Sequence, residues 1–157
     1  MRGAPRTRGS LRRDVVTDLA VRVGAAATLV WLGMVLAISF LEAPLKFRAE
    51  GLDLRVGLAI GRIVFRGLNV VEIIWAAVIG VCLIIAPQSV AVLVLAEMTA
   101  VILVVQLLVV RPRLNHRTAR VLAGEDQPRS RAHHAYIALE ALKVVVLAAL
   151  GVVLLVS

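Results

Sequence analysis

The chain has 157 residues, of which 61% are apolar, a formal net charge of +8 and a mean hydropathy of +0.93. Globular domains are about 45–50% apolar, and a chain this short has no room for a soluble catalytic domain beside its apolar runs. The positive charge is mostly arginine outside those runs, with no basic, aromatic-interleaved domain, so no nucleic-acid partner is expected and anionic lipid headgroups are.

Four apolar runs, at residues 21–41, 63–86, 90–110 and 135–156, dominate the chain. A helix of about 20 residues at about 1.5 Å per residue crosses a bilayer core of about 30 Å, and helices apolar all round need lipid or a large protein around them. The expected fold is therefore an all-α integral membrane protein. It is a four-transmembrane-helix bundle with a short interfacial helix in the third connection. Residues 19–157 form the transmembrane domain, and residues 1–18 an Arg-rich tail expected to be disordered.

In chain order, the tail carries Arg2, Arg6, Arg8, Arg12 and Arg13. The first run exceeds the length of a signal-peptide core and lacks a following small-x-small site, so it reads as an anchor. Glu42-Ala43-Pro44 should stop or kink the first helix. Arg55, Arg62, Arg66 and Asn69 fall near one face of a second helix that can begin early, with Gly57 and Gly61 spaced for close helix packing. Cys82 is the sole cysteine, which rules out an internal disulfide and suits a small core residue. Ala86-Pro87-Gln88-Ser89 is a tight turn with Ser89 as an N-cap, so spans two and three form an antiparallel hairpin.

The third connection, 111–134, places Leu114, Thr118, Val121 and Leu122 on one helical face and Arg113, Arg117 and Arg120 on the other, before Gly124. That pattern predicts a helix lying flat on the membrane, its three arginines on anionic headgroups. Ser130 is a candidate cap for the fourth helix.

Connections one and three carry about ten Lys and Arg against five Arg in the N-terminal tail. That balance favours the termini outside. The tail argues the reverse, unless translation starts at Val15 or Val16.

Intramembrane charges are costly and usually face a bundle interior. Each span has an acid: Glu42, Glu72, Glu97 and Glu140. Arg62, Arg66, Asn69 and Glu72 follow one stripe of span two, and His133, Tyr136, Glu140 and Lys143 one stripe of span four, with Gln106 at similar depth in span three. Facing stripes would give a polar half-bundle beside connections one and three, with Lys143 near Glu72 or Glu140. Two readings compete: interhelical pairing that only holds the helices together, and a site. Trp31 and Trp75 are expected in the core, Trp75 needing a partner for its N–H.

His133 and His134 are the one tempting ligand pair, but neighbours on a helix point about 100° apart. They are retained as candidate cofactor ligands. No cofactor is predicted, although haem or flavin is left open by the oxidoreductase alternative below. No metal site, nucleophile triad, phosphate loop or HExxH is present to carry enzyme chemistry.

The order of short motifs carries a resemblance. Trp31-Leu32-Gly33 leads to Phe40, Pro44 and Phe47, then Gly61-Arg62-Ile63-Val64-Phe65 and Leu68-Asn69-Val70-Val71-Glu72, then Asn115-His116-Arg117-Thr118-Ala119 and His134-Ala135-Tyr136. From Val21 onward the chain resembles the small four-helix membrane family that includes transmembrane protein 205 and many uncharacterised bacterial proteins. The resemblance implies a four-helix membrane bundle and no settled activity. More distantly, the layout resembles four-helix haem-associated protoporphyrinogen oxidase and copper-resistance membrane proteins, whose early-helix histidine this chain lacks.

The expected function is a non-enzymatic, multi-pass protein of a bacterial cytoplasmic membrane whose polar half-bundle handles a small solute, proton or lipid headgroup. The candidate binding residues are Arg62, Arg66, Asn69, Glu72, Gln106, Tyr136, Glu140 and Lys143. The alternatives are a cofactor-bearing oxidoreductase subunit using His133 or His134, and a scaffold that docks a membrane partner's helix. A membrane-protein partner or a homo-oligomer is left open beside the lipid bilayer.

Overall fold

The computed structural model describes residues 8–48, 50–124 and 131–156, with the side chains of 131–133 set aside. Every element among the described residues is helical. Four long helices result: α1 (Arg8–Lys46), α2 (Leu54–Ile85), α3 (Val90–Leu122) and α4 (Arg131–Val156). Each is long and apolar enough to cross a membrane.

Local chemistry sets the boundaries. Asp53 caps α2, its side chain accepting from the Arg55 N–H at 2.8 Å. Ser89 caps α3 as expected, its Oγ accepting from the Val92 N–H at 3.4 Å. Gly124, at φ +95°, ends α3 by sending its N–H back to the Val121 carbonyl at 3.0 Å. A left-handed residue here satisfies a terminal carbonyl at no cost to a side chain. The expected cap Ser130 and residues 1–7 of the tail lie outside the described residues.

Three expectations are corrected. The tail does not stay unstructured to residue 18, because α1 begins at Arg8. Beyond Gly9 no glycine or proline interrupts it before the first span, and Arg22 pairs with Asp18 at 2.9 Å, one turn apart. Of the two outcomes expected at Pro44, a stop or a kink, the stop does not occur, since α1 runs on to Lys46. A π-helical stretch, Leu36–Glu42, precedes the proline, and the Ala43 N–H reaches back five residues to the Ile38 carbonyl. Pro112 is handled identically, with a π stretch at Gln106–Val110 and the Arg111 N–H on the Gln106 carbonyl. A proline lacks an N–H and crowds the carbonyl four residues back; a widened turn ahead of it relieves both problems without ending the helix. Finally, the helix of the third connection is not separate. It continues span three as far as Leu122, giving 33 residues, or about 50 Å at 1.5 Å per residue.

The helices pack as a ring, α1 against α2 and α4, and α3 against α2 and α4. The main core, on Trp31, Val35, Ile79, Leu103 and Leu147, draws on all four. Toward the hairpin end, Ala25, Val92, Leu150 and Leu154 form a second core. Cys82 is buried there against Gly24, at 3.5 Å from the position a Gly24 Cβ would take, and is the small core residue expected. Thr28 and Thr99 are buried in this region, their hydroxyls donating to the carbonyls of Gly24 and Leu95 in their own helices. At the opposite end Gly57 and Gly61 do allow close approach. A Cβ on Gly57 would lie 2.7 Å from the Phe47 ring, and one on Gly61 3.0 Å from the Lys46 Nζ.

Candidate functional site

Glu140 and Lys143 lie three residues apart on α4, so both point the same way, into the ring. There Lys143 becomes a hub. Its ammonium donates to Gln106 Oε1 of α3 at 2.8 Å and to Glu72 Oε1 of α2, and pairs with Glu140 Oε2 at 3.1 Å. From α1, the Trp31 indole donates to the same Glu72 oxygen at 3.1 Å. All four helices thus contribute. Exposure is 0% for Lys143, 1% for Glu72 and Glu140, and 2% for Gln106.

The arrangement is electrostatically unfinished. Two carboxylates and one ammonium sum formally to −1, and an uncompensated buried charge is costly in a low dielectric. Among the described residues, the buried Glu72 Oε2, Glu140 Oε1 and Gln106 Nε2 have no hydrogen-bond partner. Glu140 Oε2 faces Lys143 as an ion pair, without hydrogen-bond alignment. Buried polar groups are normally satisfied, so this cluster has spare capacity for a proton or a polar group.

Next to it lies a cavity of about 440 Å³, between the C-terminal end of α1, the start of α2, the extension of α3 and the start of α4. Glu140 lines this cavity as well as the cluster. Above Glu140 stands Arg111, which is only 9% exposed. Its Nη2 donates to the Tyr136 hydroxyl at 3.0 Å, and its guanidinium lies 4.8 Å and 4.9 Å from the ring centroids of Phe65 and Tyr136. Those rings meet edge to face at 5.7 Å. Lys46 is on the same wall, 3.3 Å from the Glu42 carboxylate and 5.5 Å from the Phe65 ring.

Of the candidate residues, the structure brings Glu72, Gln106, Glu140 and Lys143 into contact and puts Tyr136 in the adjoining cavity. The stripe of α2 does not hold together. Arg62 is exposed and reaches only the cavity lining, Arg66 is exposed away from it, and Asn69 is half-buried outside the cluster. From Arg62 to Glu72 is ten residues, about 1000° of helix, so the two directions differ by about 80°. His134 is exposed, and the His133 side chain lies outside the described residues. Among the described residues no group of three or more His, Cys, Asp or Glu is placed to hold a metal. Of the three arginines assigned to headgroups, Arg113 and Arg120 are exposed, whereas Arg117 is half-buried and turned to the cavity. Glu97 is exposed on the outer face of α3, beside an apolar groove and apart from the cluster.

Sequence reasoning overlooked two participants. Trp31 was expected only as core, and nothing in the chain links it to Glu72, 41 residues on. Arg111 passed as one more basic residue of a connection; its signal is its place directly before Pro112, at the end of an apolar run. The Trp75 N–H finds the Met34 sulfur at 3.4 Å.

No family model matches the chain, and no curated protein and no solved structure does either. The likeness to the transmembrane protein 205 family rests on the short motifs alone.

Proposed function

We propose that this chain is a four-pass integral membrane protein, non-enzymatic, that binds a small polar solute in the polar half of the bundle and handles a proton at Glu140 and Glu72. Membrane insertion is supported by the outward faces: Ile63, Ile84, Leu108 and Val145 are 73%, 85%, 72% and 64% exposed, far too apolar a surface for water. A bacterial cytoplasmic membrane is the location this reading assigns, on the abundance of Ala, Val and Arg. The observation that carries the function is the unbalanced buried cluster at the floor of an accessible cavity. Glu140 touches both, so a proton or polar group entering from the cavity reaches Lys143 and Glu72 through it.

The test is reconstitution into liposomes with a trapped pH-sensitive dye and an imposed pH gradient. The protein should speed dissipation of the gradient, and Glu72→Gln, which keeps an acceptor for Trp31, should abolish that effect. Wild-type vesicles that behave like protein-free ones would overturn the reading.

A further inference from the structure

The cavity above the cluster has a charge pattern of its own. Among the described residues, Lys46 (paired with Glu42), Arg62, Arg111 and Arg117 line it with one carboxylate, Glu140. Its volume of about 440 Å³ falls among small-molecule sites, which run from about 300 to 1,000 Å³, and is more than a bare ion needs. Phe40, Phe47 and Leu58 supply apolar wall.

Arg111 is the informative residue. A guanidinium has five N–H donors, and here one goes to the Tyr136 hydroxyl while the buried Nε has no partner. Among the described residues Arg111 forms no ion pair. Its guanidinium carbon lies 4.8 Å and 4.9 Å from the ring centroids of Phe65 and Tyr136, in a buried position. Contact with a ring π-system consumes none of these donors, and the unused ones form the fork that matches phosphate oxygens. The hydroxyl of Ser39, also buried and without a partner, lines the same cavity.

We propose that this cavity binds a phosphate ester, its phosphate on the edge of Arg111 with Arg62 at the rim, and its organic part against Phe40, Phe47 and Leu58. The inference rests on the reading of the deeper cluster as a solute site and names the class of solute. The phosphate has two sources, a phospholipid headgroup or a soluble phosphate ester. Glu140 at the floor then accepts hydroxyl or ammonium donors carried by the same molecule.

The experiment is equilibrium binding of short-chain phosphatidylglycerol to the purified full chain in neutral detergent. Arg111→Gln should weaken binding at least about tenfold, as loss of a charge-assisted hydrogen bond implies. Arg22→Gln, whose guanidinium is exposed and paired with Asp18 of its own helix, should leave binding unchanged. Competition by glycerol 3-phosphate would assign the site to a soluble ester. Binding without such competition would assign it to the lipid, and either result upholds phosphate recognition. Equal binding by Arg111→Gln, or equal binding of a diacylglycerol without phosphate, overturns it. Should Arg111→Gln fail to fold, Arg62→Gln replaces it, with a several-fold loss expected and unchanged binding again overturning the proposal. Binding needs no flux, so failure here leaves the proton assay standing, and a negative proton assay leaves a positive binding result intact.

Discussion

At the scale of the residue, Lys143 decides the most. Lys143→Leu would leave Glu72 and Glu140 buried without a counter-charge, and breaking a buried pair costs about 3–5 kcal/mol. The expected outcome is a large loss of stability, read by denaturant unfolding in detergent. Adding Glu140→Leu should restore only part of it, because Lys143 also holds Glu72 of another helix. Adding Glu72→Gln and Glu140→Gln instead removes every formal charge from the cluster and should restore most of it while abolishing proton handling. A triple variant that keeps full activity would show that the cluster is structural. Trp31→Phe keeps an aromatic ring but leaves Glu72 without the indole donor, and should cost about 1–3 kcal/mol in the same unfolding measurement. Glu97, by contrast, is exposed amid apolar neighbours. Glu97→Leu should leave the unfolding midpoint unchanged or raised.

At the scale of the element, the two π stretches matter because each sits directly before a proline and beside the site. In Pro112→Ala the widened turn at Gln106–Val110 is free to close to an ordinary α turn. One residue of register is about 100° of rotation, which would carry Arg111 off Tyr136. Helicity by circular dichroism should be unchanged while binding of short-chain phosphatidylglycerol falls. This scale also shows what could be read in the sequence. The spans followed from run length, and the caps Ser89 and Gly124 from local chemistry, because both depend on neighbours in the chain. On α4 the described members of the stripe, Tyr136, Glu140 and Lys143, stayed together, since Tyr136 and Lys143 differ by seven residues, or about 20° around the helix. On α2 it failed by drift: Arg62 reached only the cavity rim and Arg66 turned outward. The π stretches were not legible, because a widened turn changes the register of everything beyond it while leaving the composition untouched.

At the scale of the whole molecule, the polar connections and the uncharged hairpin turn lie at opposite ends. The vestibule, the cluster and both π stretches lie toward the connections between α1 and α2 and between α3 and α4, while the hairpin turn between α2 and α3 carries no charge. On the proposed reading, about ten Lys and Arg in connections one and three against five in the tail would put the cavity on the cytoplasmic side by the positive-inside rule. In a Cys82→Ala background, Gly51→Cys should be labelled by an impermeant thiol reagent only from the cytoplasmic side, and Gln88→Cys only from the opposite side. Labelling of both from one side would refute this arrangement of spans.

The reliance of one cluster on all four helices also bears on biosynthesis. The last helix to be made brings Glu140 and Lys143 together, so on the proposed reading, until it inserts, Glu72 and Gln106 would sit in the membrane with Trp31 as the only partner among the described residues for either side chain. An intermediate of three helices therefore carries an unpaired acid in lipid, which the insertion machinery and membrane proteases would treat as unfinished. Completion of the chain supplies Lys143 as the counter-ion to Glu72, and a nascent protein that stalls before α4 should be degraded, not stored.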